Sequence, residues 1–269
     1  MPELAEVEFY RRRWNPGLGA RIDRVLVHPK AGVFKTSDPA EIVRHLAGAT
    51  LISSETAAKQ MLFRASGDGW LGIHLGMTGE LTVQPVGHVP RKSDHLVLEQ
   101  RDRALVFSDP RMFGRVQFHV GSEAPDWWTS IAPAVLSAGF TVGAVSVFLR
   151  RRARTPIKAV LLMQEKFPGI GNWMADEILW RAAIHPKRPA GSLTPAEIKT
   201  LHRETRWVAA HALKIIGSAD TATLPDPPKT WLFLHRWEDG GKCPKTGVPL
   251  LREEIGGRTT CWSPARQTL

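Results

Sequence analysis

Apolar and polar residues alternate in short runs through the first 120 residues, and the spacing becomes helical after that. The segments IDRVLVH, ATLISSE, KQMLFRA, WLGIHLGM, ELTVQP, HLVLEQ, ALVFSD and RVQFHV are short and β-rich, and many alternate. Turn signals such as Gly67-Asp68-Gly69 and Arg101-Asp102-Arg103 separate them. From Ala20 to His119 the pattern therefore reads as mostly strand and predicts an antiparallel β-sandwich. A short helix precedes it, from residue 3 to about residue 14, with Leu4, Val7, Phe9 and Tyr10 as its apolar set and Asn15-Pro16 as its stop.

Residues 121–133 read as a linker. Helical periods follow in VGAVSVFLRRR, PIKAVLLMQ, NWMADEILWRAAI and a long stretch from Pro195 to Ile216. Thr194-Pro195-Ala196-Glu197 is a start signal for the last: Thr caps, Pro occupies the first helical position and Glu reaches back. A Pro-rich loop runs from Asp220 to Thr230, and the final forty residues return to strand and turn. The expected class is α+β. It comprises a β-sandwich domain with an N-terminal helix (1–120), the linker, a helical domain (134–225) and a C-terminal hairpin (226–269).

Charge narrows the partner. The 269-residue chain carries a formal net charge of +10 and has a sequence pI of about 10.1, which suits a polyanion, nucleic acid first. Two cysteines suit a reducing cytosol. The N-terminus lacks the apolar core of a signal peptide, and no apolar run approaches the roughly 20 residues of a membrane span. The expected location is cytoplasmic, with no membrane partner.

Four stretches carry candidate chemistry. In Met1-Pro2-Glu3-Leu4-Ala5-Glu6-Val7-Glu8, removal of Met1 would leave Pro2 with a free secondary amine of pKa roughly 8. Such an amine can attack an aldehydic sugar carbon and form an iminium, with Glu3 moving protons; a helix start with Pro and acids in its first turn has the same composition. His74-Leu75-Gly76-Met77-Thr78-Gly79-Glu80-Leu81 is a turn presenting Met77, a residue that can wedge into a base stack. Ser108-Asp109-Pro110-Arg111-Met112-Phe113-Gly114-Arg115 offers an Arg and a Phe two apart, one for hydrogen bonding and one for stacking. In Phe167-Pro168-Gly169-Ile170-Gly171-Asn172, two glycines precede a helix whose backbone N–H groups and Asn side chain suit a phosphate.

Taken in this order and spacing, the four stretches resemble the formamidopyrimidine-DNA glycosylase and endonuclease VIII family of base-excision repair enzymes. PELAEVE is similar to the family's PELPEVE start, with Ala5 where Pro is usual. Ala58-Lys59 resembles its AKY segment, HLGMTGEL its HLGMSG turn, and SDPRMFG its DPRRFG, with Met112 in place of the second Arg. IKAVLLMQ…GIGNWMADEILWRAAIHP resembles its helix–two-turn–helix signature. The likeness runs from Pro2 to Gln267.

The resemblance implies a bifunctional glycosylase and lyase acting as a monomer on double-stranded DNA with damaged bases, in a bacterial, nucleoid-associated setting. Pro2 would be the nucleophile and Glu3 the proton shuttle, with Lys59 beside them and Glu6 and Glu177 helping the geometry. Lys59, His74, Asn172 and Arg258 would grip phosphates. Met77, Arg111 and Phe113 would fill the gap left by the flipped base, and they favour oxidised purines over oxidised pyrimidines. No cofactor is implied. The family's hairpin is a four-Cys zinc finger, but here the ligand positions hold Cys243, Thr246, Ser263 and Arg266, so the expectation is a zincless finger and no metal. Packing by Leu250, Leu251, Ile255 and Trp262 would replace the metal, with a Cys243–Cys261 disulfide as a lesser option. Two alternatives stay open: the same enzyme class acting on oxidised pyrimidines or abasic sites, and a non-catalytic damage-binding protein if Met1 is retained.

Overall fold

The short β-rich runs become strands, some with one face open to water and the central ones buried at nearly every residue. The computed structural model describes residues 1–28 and 31–269. The chain divides into two compact units, one of residues 1–2 and 6–131, the other of residues 3–5 and 132–269.

The first unit is the sandwich. Among the described residues it holds two four-stranded antiparallel sheets. One has the order β1 (Arg24–Val27), β6 (Asp94–Gln100), β7 (Arg103–Ser108), β5 (Glu80–Pro85). The other has the order β2 (Leu51–Ala57), β3 (Gln60–Ala65), β4 (Gly69–His74), β8 (Arg115–Val120). Gly67 and Asp68 both take positive φ, as a tight β3–β4 hairpin with right-handed strand twist requires. Helix α1 (Leu4–Arg13) and the residues after it contribute Val7 and Trp14 to a core shared with Phe63, Leu71, Leu96 and Phe107. Trp14 is fully buried, and its indole N–H is satisfied by Thr82 O at 3.1 Å.

The stretch expected to be mostly strand also contains a helix, α2 (Pro39–Leu46), capped by the Asp38 side chain on Ala40 N–H. Asp-Pro-Ala-Glu is itself a start signal, but the helix it opens is only eight residues long. A one-turn helix, α3 (Asp126–Thr129), lies in the expected linker. Its Trp127 ring sits where a side chain on Gly72 would be, so β4 needs glycine there.

The second unit is helical: α4 (Val142–Arg151), α5 (Ile157–Leu161), α6 (Asn172–Ala182) and α7 (Pro195–Ala212). Thr194 and Glu197 form the expected capping box of α7. The C-terminal hairpin of β9 (Leu251–Ile255) and β10 (Arg258–Trp262) belongs to the same unit. Leu250 and Ile255 are buried as expected, and Trp262 packs edge-on against His185 at 4.2 Å; Leu251 instead faces outward, 45% exposed. Cys243 and Cys261 are both buried and free, so the disulfide is not formed.

Asp176 of α6 joins these parts. One carboxylate oxygen meets Lys158 Nζ of α5. The other accepts from Arg236 Nε at 3.0 Å, Arg236 Nη2 at 2.6 Å and the Cys261 N–H of β10 at 3.0 Å. Asp176 and Lys158 are wholly buried, and Arg236 nearly so.

Candidate functional site

Helix α6 opens at Gly171, which offers no capping side chain. Its first-turn N–H groups therefore need an acceptor, and Glu3 supplies it. Glu3 Oε2 accepts from Gly171 N at 2.8 Å and Met174 N at 3.1 Å, and Oε1 from Trp173 N at 2.9 Å. Leu4 N donates to Gly169 O at 3.0 Å, fixing the chain at the same turn. A Cβ on Gly171 would come within 2.4 Å of Glu3 Cδ, so this glycine makes room for the carboxylate. The amides that the sequence offered to a phosphate are thus taken by Glu3. The positive end of the helix is thereby satisfied by a buried carboxylate and is not left open to a phosphate.

Asn172, at the head of the helix, turns its side chain toward the hairpin. Its Nδ2 donates to Thr259 O at 2.9 Å, beside Arg258. Arg258 is exposed at the start of β10, after a turn in which Gly256 and Gly257 take φ of 62° and 72°. A side chain on Gly256 would meet Ala159 Cβ of α5 at 2.7 Å, so the hairpin tip is seated on that helix.

In the sandwich unit, Pro2 is half-buried and Glu6 buried. Lys59 is buried in the two-residue turn joining β2 and β3, where Ala58 holds φ at 55°, unusual for a residue with a Cβ. His74 ends β4. Its Nδ1 accepts from Gly76 N–H at 3.0 Å, so the proton of the neutral ring sits on Nε2. Burial, then the positive charges of Arg115 and Lys59, lower the imidazole pKa to about 4. At neutral pH His74 is an uncharged N–H donor.

The two turns carrying Met77 and Arg111 are clamped together by Asp109, which is fully buried. Its carboxylate accepts from Thr78 Oγ1 at 2.7 Å, Arg111 N at 3.2 Å and Gly114 N at 2.6 Å. Gly76 takes φ of 64°, and a Cβ there would sit 2.4 Å from Phe113 C. The clamp holds apolar side chains outward: Met77, Met112 and Phe113 are 46%, 48% and 57% exposed. The Arg111 guanidinium lies 4.7 Å from the Phe113 ring centroid. Asp109→Ala is expected to lower stability by about 2–3 kcal/mol, since it strands buried donors; urea unfolding measures it.

Glu177 points elsewhere. It is fully buried, with Oε2 accepting from Leu232 N at 2.7 Å and Arg181 at 3.5 Å from Oε1. Burial raises its pKa to about 7, against the opposing pull of the Leu232 N–H and Arg181. Between the unfolded value of 4.5 and about 7 the folded chain holds the extra proton, so this group's contribution to stability falls as pH rises through that window. Glu177→Gln keeps the acceptor for Leu232 and removes the charge. The variant is expected to gain on the parent by at most ~3 kcal/mol between pH 5 and pH 8, read from thermal melts at the two pH values.

The residues that hold candidate residues in place but escaped the sequence reading are Asp109 in the first unit and Asp176 and Lys158 in the second. Asp109 was visible in its Asp-Pro turn; the others act over long chain separations that no local pattern shows.

Known proteins match the chain along nearly its whole length. Residues 1–116 match the formamidopyrimidine-DNA glycosylase N-terminal domain, and residues 131–223 match the formamidopyrimidine-DNA glycosylase H2TH domain. The chain is 36% identical over 277 residues to the formamidopyrimidine-DNA glycosylase of Roseiflexus sp. (strain RS-1), covering 99% of this chain and 100% of that one. It is 35% identical to the Thermus thermophilus protein of the same name, covering 99% and 98%. Among solved structures, Lactococcus lactis Fpg (MutM) in complex with DNA containing an oxidised pyrimidine superimposes with TM-score 0.90 at 26% identity, with both chains fully covered. The same protein with N7-benzyl-Fapy-dG DNA gives TM-score 0.89 at 27% identity, again with full coverage of both chains.

Proposed function

The chain belongs to the formamidopyrimidine-DNA glycosylase family, and from that premise we propose that it excises oxidised purines, 8-oxoguanine and formamidopyrimidine, from duplex DNA and then nicks the strand. The observation that carries this reading is the fixing of Glu3 by three backbone amides directly after Pro2. A carboxylate held in one orientation beside a secondary amine is a positioned proton carrier.

Once Met1 is removed, the Pro2 nitrogen attacks C1′ of the flipped nucleotide. The bond from C1′ to the base breaks, the electron pair leaves with the base, and a proton is delivered to it. Opening of the sugar ring gives an iminium between Pro2 and C1′. Loss of the 2′ proton then expels the 3′ phosphate, and a second elimination expels the 5′ phosphate. Glu3 carries protons in these steps.

Binding falls to the other residues. The target base is reached only outside the stack. Met77 and Phe113 fill the vacated space, and Arg111 hydrogen-bonds the unpaired partner base. Lys59, His74, Asn172 and Arg258 hold phosphates, with His74 acting as a neutral donor. Affinity falls steeply with salt, as phosphate neutralisation by a basic protein demands.

Borohydride trapping tests the reading. Met1-processed protein is mixed with duplexes carrying 8-oxoguanine opposite cytosine, an oxidised pyrimidine, or an abasic site, beside Pro2→Gly. A covalent adduct with the purine lesion and the abasic site, reduced in the variant, supports the proposal. An adduct with the pyrimidine or abasic duplex alone moves the substrate class. Binding without any adduct, with Met1 absent by intact mass, leaves a damage-binding protein.

A further inference from the structure

The family resemblance places a four-cysteine zinc finger at the C-terminal hairpin, and the donors here do not fit that metal. The four positions hold one thiol, Cys243, two neutral hydroxyls, Thr246 and Ser263, and the guanidinium of Arg266. A zinc site of this kind needs four thiolate or imidazole ligands, and a guanidinium offers no lone pair. Among the described residues, no cluster of three or more His, Cys, Asp or Glu stands elsewhere as a substitute.

A side chain from helix α6 occupies the middle of this arrangement. Trp180 is fully buried, and its indole N–H donates to Cys243 Sγ at 3.3 Å. Lys245 Nζ lies 4.9 Å from the ring centroid, and the Arg266 guanidinium lies 5.3 Å from it. Arg266 Nη2 also donates to Trp180 O at 3.3 Å. These contacts come from both ends of the hairpin, one before β9 and one after β10. The second end has a further tie: Ser263 N donates to Gln267 Oε1 at 2.9 Å, and Gln267 Nε2 to Ile184 O at 3.0 Å. Trp180, Leu232, Cys243, Leu250 and Cys261 form one apolar cluster around the knot.

We propose that Trp180 is a positioning residue for DNA binding. Its indole, bonded to the Cys243 sulfur and flanked by Lys245 and Arg266, closes both ends of the hairpin onto α6 without a metal and so sets the place of Arg258. The tip contact of Gly256 on Ala159 is the other anchor of the same arm. The sulfur is suited to this use. Burial opposes its ionisation, but neighbouring donors, the Trp180 indole N–H among them, outweigh burial and bring the thiol pKa down to about 6. An N–H bond to a thiolate is charge-assisted and stronger than one to a thiol. Cys261, by contrast, is pushed up to about 12, by burial first and by Asp176 second.

The test uses the full-length protein and does not depend on lesion cleavage, so its failure is separable from failure of the glycosylase reading. Amide exchange across residues 242–267 is followed with and without excess EDTA, and in Trp180→Phe, which keeps a ring and loses the N–H. Thiolate absorbance is titrated in parallel, with Cys261→Ala as the background so that the step reports Cys243. The expected result is no effect of EDTA, exchange about tenfold faster in the hairpin of Trp180→Phe but unchanged in α7, and a Cys243 titration moved upward. Weakened binding to duplex DNA should accompany it. Cys243→Ala, which leaves the indole in place, is expected to speed hairpin exchange in the same way. Hairpin exchange accelerated by EDTA and restored by zinc would overturn the proposal. So would a Trp180→Phe variant with unchanged hairpin exchange and unchanged thiol titration, since the indole would then be filling space only.

Discussion

Glu3→Gln is expected to slow base excision by about 10²- to 10⁴-fold, the usual effect of losing a positioned proton carrier. The isosteric change keeps one acceptor oxygen where three N–H groups converge. The amide NH₂ must then face at least one buried N–H donor, so stability falls too, by about 1–3 kcal/mol. The two effects separate by experiment. Single-turnover excision is measured on an 8-oxoguanine duplex, and binding on a duplex with an uncleavable abasic analogue. Loss of rate with binding kept within a few-fold places Glu3 in the chemistry. Equal loss of both would reduce Glu3 to the cap of α6.

Asp176→Asn is expected to be the most destabilising single change in the helical unit, costing about 3–5 kcal/mol. Asp176 is the common partner of two buried cations, Lys158 and Arg236, and of the Cys261 N–H. Removing its charge leaves both cations buried without an anion. Lys158→Met is expected to cost less than half as much. Asp176 then keeps Arg236 and Cys261 N–H, and Lys158 is already held below the usual lysine pKa by burial, against the pull of Asp176. Urea midpoints of the two variants test the order; Lys158→Met as damaging as Asp176→Asn would refute it. Because Asp176 reaches β10, the hairpin should loosen first, which amide exchange would show.

The strands were legible because short β-rich runs between turn signals stand out in the residues themselves. RVQFHV alternates, whereas HLVLEQ and ALVFSD are near-continuous apolar runs that pair as β6 with β7 and are buried at almost every residue. The long helix was legible from Thr194 and Glu197, since a capping box is local chemistry. Helix α2 was missed because eight residues between strands give only two turns of periodicity. At the candidate site, Met77, Arg111 and Phe113 were legible from their turns. Their common clamp was not, because Thr78 and Asp109 meet only when strands β5 and β7 pair.

Glycine patterns, turn dipeptides, caps and the surplus of positive charge are properties of neighbouring residues or of the whole composition. The sequence by itself therefore determined the order of sandwich, helices and hairpin, the basic character of the surface, the identity of the candidate residues and the poverty of zinc ligands at Cys243, Thr246, Ser263 and Arg266. Only the tertiary structure decided that Glu3 caps a helix beginning at Asn172, that Asp176 serves Lys158, Arg236 and Cys261 at once, and that Trp180 meets Cys243. Each of these joins groups far apart in the chain whose need for a partner arises from burial. Burial is created by the packing of the whole fold, so no window of sequence contains it.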